Sequence, residues 1–170
     1  MAQARAIAKK KVETAEIAEF LALAGIAVLV PMLGNQFITG PFVNATLFIA
    51  VILLGMRYAI VLALVPSLIA LGVGILPFIL APMVPIIMLS NLILVFSFNK
   101  LWEKNYWLGV GVASILKTGF LYLMSLLIIE YFITSPQASK FALLFSWPQL
   151  LTALAGGVLA YAVLKFLKRI

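Results

Sequence analysis

From Tyr58 to Leu89 the chain is almost uninterrupted apolar sequence, and this stretch limits what the rest can be. Wound as one helix it would be roughly 48 Å long at 1.5 Å per residue, whereas about 20 residues cross the roughly 30 Å of bilayer hydrocarbon. It is too long for one crossing. Gly72, Gly74, Pro77, Pro82 and Pro85 cluster in its second half, where flexible backbone and missing N–H donors favour a turn. The stretch therefore divides there. The connecting piece, Ile75 to Ala81, is oddly apolar for an aqueous loop, which implies that it lies over something rather than in water.

Composition generalises the point. Of 170 residues, 65% are apolar and 10% charged, against roughly 45–50% and about 25% in globular chains. The surplus must face lipid. A mean hydropathy of +1.22 excludes a disordered segment, a nucleic-acid reader and a secreted disulfide scaffold. The chain has no Cys, no His and five acidic residues, so the usual metal sites and nucleophilic triads lack their parts. No enzyme activity, cofactor or metal is expected.

Six spans are predicted: Glu16 to Leu33, Pro41 to Met56, Tyr58 to Val73, Pro82 to Trp102, Trp107 to Ile133 and Trp147 to Phe166. Together they make an all-α integral membrane protein, with residues 16–170 as one six-helix domain. Six spans put both termini on one side, with Arg5, Lys9, Lys10, Lys11, Arg57, Lys100, Lys104, Lys165, Lys168 and Arg169. The other side holds only Lys140, and Lys117 lies inside the fifth span. Because cytoplasmic loops hold the excess of basic residues, both termini are expected in the cytoplasm. The same rule, with anionic inner-leaflet lipid, accounts for the net charge of +7 without a nucleic-acid partner.

Residues 1–15 form a cytoplasmic or interfacial segment, and Ala2 to Glu19 reads as an amphipathic helix on the inner membrane surface. A signal peptide is disfavoured, since Glu13, Glu16 and Glu19 separate the Lys9 to Lys11 run from the apolar stretch and no clear small-residue cleavage site follows. No internal repeat supports an inverted-repeat carrier.

Polar residues inside spans are costly and point to function, although a single Asn or Ser often just ties two helices. Asn44 lies one turn into the second span and Asn91 near the middle of the fourth. With Asn35 and Gln36 in the first outer loop, and Gln149 and Thr152 at the outer start of the sixth span, they fall mostly in the outer half. A polar pocket opening outward explains that bias, with Asn91 as the deepest member. Lys117 and Glu130, thirteen residues apart and so roughly 20 Å along one helix, cannot pair with each other. Glu130 either meets water at the outer interface or borders the pocket. Lys117 either snorkels to the inner headgroups or holds an anionic substrate group or a partner subunit.

Ala15, Ala18 and Ala22, then Ala24, Gly25 and Ala27, give the first helix small side chains, which permit close helix approach. They form an internal seam or a docking face. Trp102, Trp107 and Trp147 fit interface anchors.

The chain resembles the substrate-binding S components of energy-coupling factor transporters. The likeness rests on size, six spans with both ends inside, the alanine-rich first helix, and the stretches Gly40 to Gly55 and Leu80 to Asn91. It implies a subunit of a prokaryotic plasma membrane that captures a vitamin or related small molecule from outside. Loops joining the first and second, and third and fourth, helices would close the site, here Gly34 to Gly40 and Gly74 to Ala81. The subunit would then dock on a membrane scaffold subunit carrying two ATPase subunits, topple, and release substrate inside. Ala18 and Ala22 match the family's paired-alanine spacing. The aromatic and charged sets of thiamine and riboflavin binders are missing, so the substrate stays open. The chain has no Walker loop of its own. The competing reading is an autonomous carrier coupled to protons or ions, with Glu130 or Lys117 as the titrating group.

Overall fold

The computed structural model describes residues 2–74, 76–132 and 143–170. Every regular element among them is helical. α1 spans Ala2–Leu29, α2 Gln36–Leu53, α3 Met56–Gly72, α4 Val84–Leu101, α5 Tyr106–Phe132 and α6 Trp147–Phe166, with short 3-10 helices at Val30–Leu33 and Phe78–Met83. Among the described residues, five helical stretches are long and apolar enough to cross a membrane, and α3, at 17 residues, is shorter. Large apolar side chains point outward, including Ile115, Leu116 and Leu123 of α5, while Ser114, Lys117 and Ser125 of the same helix are buried. That inversion of the soluble pattern fits a multi-pass membrane protein.

Turn chemistry fixes the helix ends. Gly34 adopts φ 68° and returns its N–H to the Pro31 carbonyl, a left-handed position that favours glycine. The Asn35 side chain accepts from the Phe37 N–H at 3.0 Å and caps α2. α2 therefore starts at Gln36, five residues before the expected Pro41, and the proline lies inside the helix. Leu54 and Gly55 alone join α2 to α3, with Gly55 at φ 80° and ψ 178°, backbone that is essentially restricted to glycine.

The first helix departs from expectation. No break separates an interfacial helix from a first span; Ala2–Leu29 is one helix. The run Ala2 to Leu29 lacks proline and contains one glycine, so nothing in the backbone stops the helix before Pro31.

α2 is the central helix. Asn44 to Val51 are eight consecutive buried residues, which requires neighbours on all sides. α6 packs most extensively on it, and α1, α3 and α4 cover the remainder. Leu47 and Phe48 meet Leu62 of α3, Leu94 and Phe98 of α4 and Ala153 of α6 in one core, with Phe48 and Phe98 edge to face at 4.7 Å.

The helices alternate in direction. Glu19 of α1 and Arg169, past α6, approach to 3.9 Å at the end shared by the α2–α3 and α4–α5 turns, here called the terminal end. At the distal end the apolar connection after α3 folds back over the bundle. Leu80 and Met83 are buried against Leu121 of α5 and Phe145 in a second apolar cluster. Among the described residues of the connecting piece only Leu80 is buried on protein, whereas Phe78, at 84% exposure, and Ile79 stay exposed, so the expectation that the whole loop lies over something holds in full at one residue.

Candidate functional site

α5 buries one stripe, Val110, Ala113, Ser114, Lys117, Leu121 and Ser125, spaced as one helical face. Lys117 lies on that face and is 4% exposed. Its Nζ donates to Oδ1 of Asn44 at 2.5 Å. The side chain thus crosses to α2 and does not snorkel to the membrane surface. Asn44 is 2% exposed, and its Nδ2 donates to the Gly40 carbonyl at 2.9 Å, which turns its oxygen toward Lys117.

The seam between α2 and α6 holds this amide in place. A Cβ at Gly156 would stand 2.6 Å from the Asn44 Cβ, and one at Gly40 would stand 2.7 Å from the Thr152 Cβ. Both glycines therefore permit backbone approach that no larger residue allows. Thr152 is buried there, its hydroxyl donating to the Gln149 carbonyl at 3.1 Å.

Two further hydroxyls belong to the same region of α5. Ser114 Oγ and Thr118 Oγ1 are buried with no hydrogen-bond partner among the described residues. By contrast, the hydroxyls of Thr46, Ser90, Ser125, Ser146 and Thr152 each donate to the carbonyl three residues earlier, the usual local solution for Ser and Thr in helices. Sequence reasoning passed over Ser114 and Thr118. Their spacing of three residues before and one after Lys117 was the available signal.

The other expected site residues fall into separate groups. Gln36 and Gln149 both donate through Nε2 to the Leu144 carbonyl, at 2.8 and 3.0 Å, and so close the distal rim beside the Asn35 cap. Asn91 stands apart from both: its Nδ2 donates to the Ala63 carbonyl of α3 at 3.2 Å. Its donor is engaged in tying α4 to α3, and the polar centre of the bundle is the Asn44–Lys117 pair. The Glu130 side chain and Lys140 lie outside the described residues.

On α1, Ala15, Ala18 and Ala22 are exposed, whereas Leu23 and Ala27 are buried. Phe20, Ala24 and Ala27 line the contact with Val61, Leu62 and Pro66 of α3. The small residues thus divide into an inner face that packs on α3 and an outer face left open.

This arrangement can bind and orient a polar group. Comparison of the chain with family models, with curated proteins and with solved structures finds no match.

Proposed function

We propose that the chain is a substrate-binding S component of an energy-coupling factor importer. It has six spans, with both termini in the cytoplasm of a prokaryotic cell, and captures a vitamin or related micronutrient from outside. On this reading the distal end faces outward. Asn44 and Lys117 form the floor of the site, while Asn35, Gln36, Gln149 and Thr152 belong to its outer part. Glu130 is the remaining candidate contact, and Asn91, whose Nδ2 is held by the Ala63 carbonyl, ties α4 to α3. The apolar segment from Gly74 to Ala81 is the closing loop, and the exposed face of Ala15, Ala18 and Ala22 docks on the scaffold subunit that carries two ATPase subunits.

The observation that carries this reading is the Asn44–Lys117 bond. A lysine kept inside an apolar bundle is expensive and marks a ligand or ion path by default. The outward alanine face supports a partner in the membrane, because small residues exposed to lipid permit close helix approach.

The test is reconstitution. Uptake into vesicles should require the chain together with a scaffold and ATPases, with ATP supplied on the ATPase side. Uphill uptake by the chain alone, driven by an ion gradient, would replace this proposal with the autonomous carrier.

A further inference from the structure

Among the described residues, no carboxylate stands within reach of the Lys117 ammonium. The chain has five acidic residues. Glu19 faces Arg169 at the terminal end, Glu16 borders the open groove beside the α2–α3 turn, and Glu13 precedes both on α1. Glu103 lies in the turn between α4 and α5. Glu130 is thirteen residues along the same helix, roughly 20 Å away.

Asn44 offers a neutral oxygen to one of three ammonium donors. A buried cation without a paired anion is costly, so an anion brought from outside is the missing partner. Ser114 Oγ and Thr118 Oγ1, the two hydroxyls without partners, flank Lys117 on α5. A groove between α5 and the start of α6, lined by Thr118, Gly119, Tyr122, Ser146 and Trp147, reaches the second of them.

The charge of the anion follows from what else is near. The other basic residues whose side chains are described, Arg57, Lys100, Lys104, Lys165, Lys168 and Arg169, lie toward the terminal end. A phosphate monoester, at about −1.5 to −2, would keep unpaired charge beside a single ammonium. A carboxylate would not.

We propose that the carried molecule bears a carboxylate, received by the Lys117 ammonium and by the hydroxyls of Ser114 and Thr118. The inference rests on the reading of the chain as a small-molecule binder and adds its substrate class and two site residues.

Purified full-length protein is heated with sodium benzoate or with benzamide, its uncharged counterpart, at matched ionic strength and pH. Benzoate should raise the apparent unfolding temperature by roughly 2–4 °C when several-fold above its dissociation constant, and benzamide should not. Lys117→Met should erase the difference, and the double variant Ser114→Ala, Thr118→Val should raise the half-saturating benzoate concentration several-fold. Equal behaviour of the two probes, or a benzoate effect unchanged in Lys117→Met, would overturn the proposal. If Lys117→Met does not fold, unchanged half-saturation in the double variant does the same. No scaffold or ATP enters this assay, so its failure leaves the importer reading to the reconstitution, and failure there leaves the carboxylate result intact.

Discussion

Lys117 of α5 and Asn44 of α2, seventy-three positions apart, share a hydrogen bond inside the bundle. α5 and α2 are thereby coupled by a polar contact with apolar packing around it. The two partners are unequal: removing the amide strands a charged group, whereas removing the ammonium leaves a neutral one that also donates to Gly40. Asn44→Leu should therefore destabilise the protein by about 1–3 kcal/mol or more, and Lys117→Met should cost less. The double variant should recover part of the Asn44→Leu loss, since exchanging both partners for apolar groups is nearly neutral. Thermal unfolding of the four proteins in one detergent measures the cycle, and strict additivity would count against the bond.

The α2–α6 seam gives a steric prediction. Gly156→Ala places a Cβ 2.6 Å from that of Asn44 and 2.8 Å from the Pro41 carbonyl, and overpacking of this kind costs roughly 1–3 kcal/mol. Gly25→Ala is the control, because nothing lies within 4 Å of its added Cβ. It should be neutral or slightly stabilising, as alanine favours the helix. Equal unfolding temperatures for the two variants would show that α2 and α6 are not in such close contact.

These two sites mark where sequence reasoning reached and where it stopped. The sixth helix begins and ends as expected, Trp147 to Phe166, because an aromatic–proline start and a basic finish bound a clean apolar run. The anomalous loop was legible only in part: Leu80 is buried, but Phe78 and Ile79 of the same piece are exposed, and apolar composition does not say which side chains of a loop turn inward. The start of α2 was misplaced because a proline is tolerated beyond the first turn of a membrane helix, and the capping role of Asn35 is a local hydrogen bond that composition does not reveal. The partner of Lys117 was out of reach altogether. Helix periodicity tells which residues share a face, but which helix that face meets is a tertiary fact. For the same reason, the sequence left the alanines of α1 open between internal seam and outer face, and only the packing on α3 separates Ala15, Ala18 and Ala22 from Ala24 and Ala27.

The proposed topology rests on the distribution of basic residues. The chain has no cysteine, so single substitutions label without background. Leu33→Cys, at an exposed distal position, should react with an impermeant thiol reagent added to intact cells, and Lys104→Cys, exposed at the opposite end, should react only after permeabilisation. Labelling of Lys104→Cys in intact cells would reverse the proposed orientation.

The outer alanine face predicts a separation of assembly from folding. Ala18→Leu and Ala22→Leu add volume where the chain itself makes little contact, both residues being exposed, so the unfolding temperature should hold within about 0.5 kcal/mol equivalent. If this face docks the proposed scaffold subunit, co-purification with it should fall sharply, since added side chains keep helix backbones apart. Loss of stability in these variants would mean that the face packs internally.

Asn91 separates a binding residue from a structural one. Its Nδ2 donates to the Ala63 carbonyl at 3.2 Å, and the residue is 3% exposed; that carbonyl belongs to α3, one turn before Pro66. Asn91→Ala should therefore lower stability by about 1–3 kcal/mol and loosen α3 from α4. Affinity in the folded fraction should stay within about twofold, because the site centred on Asn44 and Lys117 keeps both partners. Asn91→Asp is the second probe: it retains shape but replaces the donor with an acceptor facing a carbonyl, and should cost at least as much as alanine. Equilibrium binding of benzoate to refolded Asn91→Ala, measured beside its unfolding temperature, decides the matter. A tenfold or greater loss of affinity at undiminished stability would assign Asn91 to the ligand and show that the Ala63 contact gives way when the site fills.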